Sequence, residues 1–265
     1  MIDKNIGKRR RFIMRLMTKN SRGFKILKIV LFMVVVSVLA ITAASCKWTI
    51  GVIRGSGDME TEEREVSGFD EIQFSGIGNL IIEQGDEESL VVEADDNIIG
   101  LIETEVRGDV LHIGSRRGVN IIPTSRIKFY LTVEDLDRID LSGLGDIDCG
   151  GFETDDLELN ISGSGDIDFN IEAKSIEIDV SGLGNINLSG KVDYHRVQIS
   201  GSGKYDAEEL ESKDCEVELT GLGSATVNVS GDLEIDINGV GNVYYTGNPH
   251  ISQHISGLGR IKSLD

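Results

Sequence analysis

Acidic side chains that directly follow pairs of glycines are the first feature of this sequence that could do chemistry. Asp146 and Asp148 follow one pair, and Asp166 and Asp168 follow the next. Carboxylates stacked in register on successive coils of a chain would suit Ca²⁺, which prefers oxygen ligands. The series is interrupted by Lys204, and later copies lose their carboxylates. We therefore predict solvated strand faces at these positions and no metal site.

Cysteine and histidine are the second possible source of chemistry. Cys149 and Cys215 fall in apolar columns three to four repeats apart, which at about 4.8 Å per strand exceeds the roughly 7 Å Cα separation of a disulfide. We predict two buried free thiols. His195 shares the column of Cys215 without a nucleophile pattern, so we expect a core histidine and not a catalytic base. The other histidines lack metal-ligand spacing. We predict no catalytic residue, no cofactor and no metal.

Carbohydrate chemistry is the enzymatic alternative. A pair of carboxylates catalyses glycoside hydrolysis. A chain with 45 acidic residues contains such pairs in any case, so their presence does not indicate a glycosidase. The repeats differ by only two residues in length, which leaves no long insertion to wall a cleft. We predict that the protein is not an enzyme. A carbohydrate-binding or polysaccharide-processing β-helix stays as the alternative, and its aromatic groove would have to use Tyr194, Tyr205, Tyr244 and Tyr245.

The elements that position these residues repeat through the second half of the chain. Seven Gly-x-Gly triplets recur at steps of 18 to 20 residues, a period that indicates a solenoid. The glycine pairs are Gly143/Gly145, Gly163/Gly165, Gly182/Gly184, Gly201/Gly203, Gly221/Gly223, Gly239/Gly241 and Gly257/Gly259. We expect glycine here because a sharp corner between two short strands favours φ values that other residues avoid.

Aligned on the glycines, the repeats form columns. The position two before each pair is always aliphatic, and the position four before is aliphatic in all copies except Gln253. This alternation is typical of strands whose inward side chains stack from coil to coil. An antiparallel meander is the alternative, although the corners lack the Asn-Gly or Asp-Gly turns of hairpins. We predict an all-β fold, a parallel β-solenoid (β-helix) with about 19-residue coils.

The region before the repeats is less regular. Residues 90–130 lose the glycine period but keep short alternating runs, and residues 95–102 could make one helical turn. We predict an irregular β N-terminal cap, because solenoid ends need atypical units over their strand edges. The head domain is predicted to span residues 66–265. Residues 46–65, rich in Gly, Ser and charge, are predicted to be a flexible spacer.

The N-terminus carries an export signal. Residues 1–45 contain ten basic residues and one acid, followed by an apolar run, and Ala43-Ala44-Ser45-Cys46 resembles a bacterial lipobox. We predict a lipoprotein signal peptide over 1–45 with Cys46 as the lipidated residue. An uncleaved signal anchor is the alternative, since the apolar run is just short of the roughly 17–25 residues of a spanning helix. Both interpretations place the head outside the cytoplasm and anchor it to a membrane, and neither specifies the leaflet.

The net charge of −19 argues against nucleic acid as a partner. Removing the basic N-terminal segment leaves −28 on residues 46–265. Contact through acidic strand faces is therefore the expected mode of binding. A filament formed by stacked solenoid ends would need uncapped ends, whereas Arg260 and Lys262 in the last repeat indicate a blunted edge.

Three features of the sequence resemble those of one known protein family. They are the repeated Ser-Gly-[Leu/Ser]-Gly-[Asp/Asn]-Ile, the closing run from Gly239 to Pro249, and the final run from Ser256 to Ile261. Over residues 68–262 they resemble the putative auto-transporter adhesin, head GIN domain family, a domain of unknown function. The resemblance implies a β-helical, secreted or cell-envelope bacterial domain without catalytic residues, often behind a lipoprotein signal. We expect a non-catalytic cell-envelope lipoprotein with an adhesive or binding role and an envelope protein or glycan as ligand.

Overall fold

A computed structural model describes residues 51–265, so the predicted signal and Cys46 lie outside the described residues. This part of the chain forms twenty strands and one short helix. The strands are β1 (Gly51–Arg54), β2 (Met59–Arg64), β3 (Glu71–Phe74), β4 (Asn79–Gln84), β5 (Ser89–Asp95), β6 (Ile102–Arg107), β7 (Val110–Ser115), β8 (Val119–Ile122), β9 (Lys128–Val133), β10 (Arg138–Leu141), β11 (Ile147–Glu153), β12 (Asp156–Ile161), β13 (Ile167–Val180), β14 (Leu183–Ile199), β15 (Ser202–Leu219), β16 (Leu222–Val229), β17 (Asp232–Ile237), β18 (Val240–Thr246), β19 (His250–Ile255) and β20 (Leu258–Ser263). The helix is α1 (Asp96–Ile99).

The repeats form a parallel β-solenoid. Successive coils pair in register, as β13 and β14 do from Ile167 opposite Ile186 to Val180 opposite Ile199. Each coil has a strand before the Gly-x-Gly triplet and a strand after it, and we call the triplet the glycine corner. The parallel pairing confirms the predicted solenoid and excludes the antiparallel meander.

The solenoid begins one coil earlier than the seven repeats. β3 and β4 flank the Gly76/Gly78 pair, and they pair in parallel with β10 and β11 of the first repeat. Residues 85–137 are inserted between these two coils. The first part of the predicted head, around Gly76 and Gly78, is therefore the opening coil of the same stack.

The inserted residues build the cap. β7 pairs in parallel with β3, and β6 pairs antiparallel with β7. These two strands extend the series of strands that precede the glycine corners. β9 pairs in parallel with β4, β5 is antiparallel to β9, and β2 is antiparallel to β5, which extends the other series. Helix α1 is the expected single turn. The irregular β cap at the N-terminal end is confirmed.

The predicted flexible spacer over residues 46–65 is wrong from Gly51 onward. β1 pairs with β8, and β2 pairs along its whole length with β5. Asp95, fully buried, accepts hydrogen bonds from the amides of Gly57 (2.8 Å) and Thr124 (3.0 Å), and the Thr124 hydroxyl lowers its pKa. The Glu-rich sequence concealed the strand because β2 is an edge strand whose side chains are almost all exposed. The head therefore includes β1 and β2, which precede the predicted start at residue 66.

Close packing requires glycine at the corners, and positive φ adds to this requirement only at Gly78 and Gly184. At Gly182 a Cβ atom would fall on the carbonyl oxygen of Gly163, and at Gly163 it would fall on that of Gly143. Neither Gly163 nor Gly182 has positive φ. The predicted reason for these glycines is thus corrected: the backbone of one coil approaches the backbone of the next too closely for any side chain.

The core is a set of aliphatic columns that run along the solenoid axis. In one of them the side chains of Leu159, Ile178, Val197 and Val217 are each at most 2% exposed. Burying such a side chain contributes about 1.5–3 kcal/mol. Every coil adds one member to each column, so the repeat that makes the coils also makes the core.

We expect Gly182→Ala to destabilise the protein by about 1–3 kcal/mol, because the methyl group forces two coil backbones apart. Gly150→Ala is the matched control, since nothing lies within 4 Å of a Cβ atom there. Its effect should stay within about 0.5 kcal/mol. Urea unfolding of the two variants measures the difference. Equal stability of the variants would contradict the close-packing explanation.

Candidate binding surfaces

The middle residues of the glycine corners form a row that is mostly apolar and exposed, with serine at two of its eight positions. Successive corners pair in parallel, so their middle residues lie one above the next. We call this row the apex ridge, and its members are Ile77, Leu144, Ser164, Leu183, Ser202, Leu222, Val240 and Leu258. Leu183 is 58% exposed, Leu222 59% and Leu258 75%. The flanking glycines have no side chains that could cover them.

Sequence reasoning missed the apex ridge. The Leu or Ser between each pair of glycines was visible in the aligned repeats, but apolar residues in a strand pattern are normally assigned to the core. Only the direction of the corner shows that these residues point outward. The signal was the glycine on either side of each apex, which leaves no side chain directly next to it.

Polar groups on both sides of the apex ridge are used to hold the coils together. The hydroxyls of Ser162 and Ser200 donate to the carbonyl oxygens of Leu141 and Val180 in the preceding coils, each at 3.4 Å. On the other side, Asp166 accepts from the amide of Asn185 at 3.0 Å. These contacts fix the height of each corner relative to the next.

The four acids first considered for metal binding have two different environments. Asp146 accepts from the amide of Asp166 (3.0 Å) and from Arg126 Nη1 (2.7 Å), so it caps the next coil. Asp148 and Asp168 are exposed and stacked in register. They line an open groove on the strand that follows the corner, together with Asp206, Glu208 and Glu209 among others.

A second concentration of charge covers the strand before the corner. Its outward positions, which we call the acidic face, are Glu71, Arg138, Glu158, Glu177, Arg196, Glu216 and Glu234 in one column and Asp140, Asn160, Asp179, Gln198, Glu218 and Asp236 in the next. Arg138 lies between Glu158 (2.9 Å) and Glu71 (3.3 Å). The hydrogen bonds of Asn160 and Arg138 lower the pKa of Glu158.

Three carboxylates at the edge of this face lie close enough to meet one cation. Asp70, Glu71 and Asp109 offer oxygens within 4.8 Å of one another. Glu71 is already paired with Arg138. Nearby, partial burial and the charges of Asp70 and Asp135 raise the pKa of Asp137. The acidic face thus carries more negative charge than its two arginines neutralise.

A histidine and a cysteine meet inside the core. The Sγ atom of Cys215 lies 2.9 Å from Nε2 of His195, and both residues are at most 3% exposed. Burial lowers the pKa of His195 to about 4 and raises the pKa of Cys215. Both groups are therefore neutral at pH 7 and neither is activated as a base or nucleophile. The expectations of a core histidine and of buried free thiols at Cys149 and Cys215 are confirmed.

The four tyrosines considered for a carbohydrate groove do not form one aromatic surface. Tyr205 is fully buried. Tyr194 lies on β14 and its hydroxyl donates to Glu216 at 3.2 Å. Tyr244 and Tyr245 are neighbours on β18, so their side chains point to opposite faces of the strand. The aromatic platform that sugar binding would require is not assembled by these residues.

Helices of the length and hydrophobicity needed to cross a membrane do not occur among residues 51–265.

Comparison with known proteins identifies one matching family and several similar solved structures. Residues 68–249 match the family described as "Putative auto-transporter adhesin, head GIN domain". A putative adhesin from Bacteroides fragilis is 26% identical with a TM-score of 0.77, over 80% of this chain and 100% of that one. A putative adhesin from Parabacteroides distasonis is 24% identical with a TM-score of 0.65, over the same shares. A protein from Parabacteroides distasonis described as a putative lipid binding protein is 26% identical with a TM-score of 0.61, over 81% of this chain and 100% of that one. No curated protein matches the chain.

Acid should destabilise the protein through His195. Its pKa is about 4 in the folded chain against 6.5 for a free side chain, so the unfolded state binds more protons between these values. Stability is retained above pH 6.5 and lost as the pH falls toward 4, by up to about 3 kcal/mol. Chemical unfolding of the wild type and of His195→Leu at pH 7.5 and pH 4 isolates this contribution. The same pH dependence in both proteins would contradict it.

Proposed function

This chain belongs to the putative auto-transporter adhesin, head GIN domain family, and on that premise we propose that it is a non-catalytic binding head held at the cell envelope. Family membership supports an adhesion or binding role and a location in the envelope or outside the cell. The proposal adds a contact surface, a mechanism and an anchor.

The apex ridge is the observation that carries the proposal. Side chains such as Leu183, Leu222 and Leu258 are more than half exposed and lie in one row on an otherwise strongly charged head. Leu222, Val240 and Leu258 follow one another in the row and form one exposed apolar stretch, which is typical of an interaction site. Burying these leucines in a contact would contribute about 25 cal/mol of favourable free energy per Å² of apolar surface removed from water.

Rigidity makes this row suited to multivalent contact. The apex residues are held at one strand spacing, about 4.8 Å per coil, by main-chain bonds on both sides of each corner. A partner surface therefore meets several side chains at once without ordering a flexible loop, which lowers the entropic cost of binding. The acidic face and the acidic groove would then favour partners with basic groups beside the apolar contact.

The contacts among the described residues argue against catalysis. The one thiol–imidazole pair, between Cys215 and His195, is sealed in the core and electrically neutral. Substrate could reach neither atom. The exposed acids lie along columns and do not converge on a pocket that excludes water. These observations support a binding role over an enzymatic one.

Anchoring through Cys46 is part of the proposal. Only residues 47–50 separate this cysteine from β1, because the predicted long spacer is mostly folded. A lipid on Cys46 would tether the head through its N-terminal strand β1. The partners proposed are the membrane itself and an envelope protein or glycan.

Replacing apex leucines tests the binding surface. Leu183→Ser/Leu222→Ser copies the serine found at Ser164 and Ser202, so we expect the fold to be kept. Beads coated with the chain are expected to adhere to at least one immobilised probe among bacterial glycans, basic peptides and phospholipid vesicles. The double variant should bind about tenfold more weakly. The matched control is Val52→Ser, which removes an apolar side chain that is 54% exposed away from the ridge.

Retained adhesion in the double variant, or an equal loss in Val52→Ser, would show that the apex ridge is not the contact surface.

Mass spectrometry of the N-terminal peptide tests the anchor. We expect a diacylglyceryl-modified Cys46 as the first residue of protein extracted from membranes. In Cys46→Ser the chain should be released or left unprocessed. An intact N-terminus starting at Met1, without modification, would replace the lipid anchor by a signal anchor.

A further inference from the structure

Residues 51–65, which we call the strap, are paired to the head but contribute almost nothing to its core. The strap consists of β1, β2 and the turn between them. Every side chain of β2 is exposed except that of Arg64, which is partly exposed. Ile53 is partly buried where it packs on the core, and the first fully buried residue after it is Val66, just outside the strap. The strap is therefore held mainly by main-chain pairing and hydrogen bonds.

Three consecutive residues at the start of α1 hold the turn of the strap. We call them the clasp, and they are Asp95, Asp96 and Asn97. The side chain of Asn97 accepts from the amide of Ser56 at 3.0 Å and donates to the carbonyl oxygen of Arg54 at 2.8 Å. The hydroxyl of Ser56 donates to Asp96. Both sides of the turn are thus bonded to side chains of the cap.

Asp95 joins the clasp to the rest of the cap. One of its carboxylate oxygens accepts from the amide of Gly57 in the strap at 2.8 Å, and the other accepts from the amide of Thr124 at 3.0 Å. A Cβ atom on Gly55 would fall on this carboxylate, so the turn fits closely against it. The bonds to Thr124 do not involve the strap. The clasp therefore keeps its place in the cap when the strap leaves.

Leaving the head would expose little apolar surface. The residues of β2 opposite the buried Ala94 and Val92 of β5 are Glu60 and Glu62, and both glutamates are exposed. They therefore add no apolar cover to β5. The main-chain groups of β5 that pair with β2 would bond to water instead, which makes their net loss small.

β1 contributes the main apolar contact of the strap. Ile53 lies opposite the buried Ile121 of β8, and β1 and β8 form a separate two-stranded sheet. The strands of the solenoid do not depend on this sheet for their pairing. A segment with few buried apolar contacts opens at a lower free energy than the core of the same protein.

Charge also favours release of the strap. It carries five acidic residues against two arginines. The head to which it is paired is itself strongly acidic, since residues 46–265 have a net charge of −28. Like charges at these separations repel, and salt weakens the repulsion.

We propose that the strap is a releasable segment, which leaves the head as a unit while the solenoid and the remaining cap stay folded. Pulling on the chain from its N-terminal side acts on the strap first, because the strap precedes every other element of the head. The clasp sets how readily it opens. The strap is thus a weak element placed in series with a strong one.

A longer tether follows from release if the proposed anchor at Cys46 is correct. Only residues 47–50 connect Cys46 to the closed strap. Release adds the fifteen residues 51–65, which could extend by at most about 50 Å. A head bound to a partner would then yield to tension without unfolding its binding surfaces. This consequence rests on the anchor, whereas the release itself does not.

Hydrogen exchange of the full-length chain in detergent tests release without load. The slowest amides of the strap are expected to exchange at least about hundredfold faster than those of β13 to β15. Asn97→Ala removes two hydrogen bonds between clasp and turn at an exposed position, so it should speed exchange of the strap about tenfold further and leave β13 to β15 unchanged. The matched control is Asn120→Ala, which shortens an exposed asparagine on β8 and should leave exchange of the strap unchanged.

Single-molecule stretching between the two ends of the chain tests release under load. A first step of up to about 50 Å is expected at a lower force than unfolding of the solenoid. Val52→Cys/Asn120→Cys places two cysteines at paired, exposed positions of β1 and β8, whose spacing of about 4.8 Å suits a disulfide. In a Cys46→Ser background, the oxidised variant should lose the first step and the reduced variant should regain it.

Two results would overturn the proposal. The first is equal exchange in the strap and in β13 to β15, because the strap would then open only with the whole head. The second is a first step that is absent from the wild type, or that persists when the disulfide is closed. The anchor is tested separately by the N-terminal peptide, and its failure would remove only the longer tether and leave the release in place.

Discussion

The close approach between a glycine of one coil and a carbonyl oxygen of the coil before it is the constraint on which the rest of the structure depends. At Gly163 and Gly182 no side chain fits between the two backbones. The corners are therefore stacked at strand spacing and in register, and the strands on either side must follow. Burial of the aliphatic columns then stabilises an arrangement that the corners have already aligned.

Strict register converts positions in the repeat into continuous surfaces. One position becomes the apex ridge, others become the acidic face, and others become the core. The same rule brings like charges together, since the outward columns are rich in Asp and Glu. Arg138 and Arg196 relieve part of this repulsion, as Arg138 does between Glu71 and Glu158. Main-chain ladders and capping by side chains such as Asp146 and Asp166 hold the coils in spite of the remaining charge.

The coils of the solenoid are alike, and its end units are where the structure departs from the repeat. At the N-terminal end an inserted module, with Asp95 buried at its centre, closes one edge and turns charged residues toward it. In the coil formed by β19 and β20 the columns contain exposed or partly exposed side chains such as Ile255.

The sequence by itself determined the architecture, because a period of 18 to 20 residues with aliphatic columns has few solutions other than stacked parallel coils. It also located His195, Cys149 and Cys215 in the core, since each falls in an inward column. Tertiary structure alone decided the rest. The Glu-rich β2 became a strand only through pairing with β5, a partner some thirty residues away. The apex leucines were shown to face outward only by the direction of the corner. Local patterns specify which faces of a strand are apolar, but pairing between distant segments is a property of the whole fold.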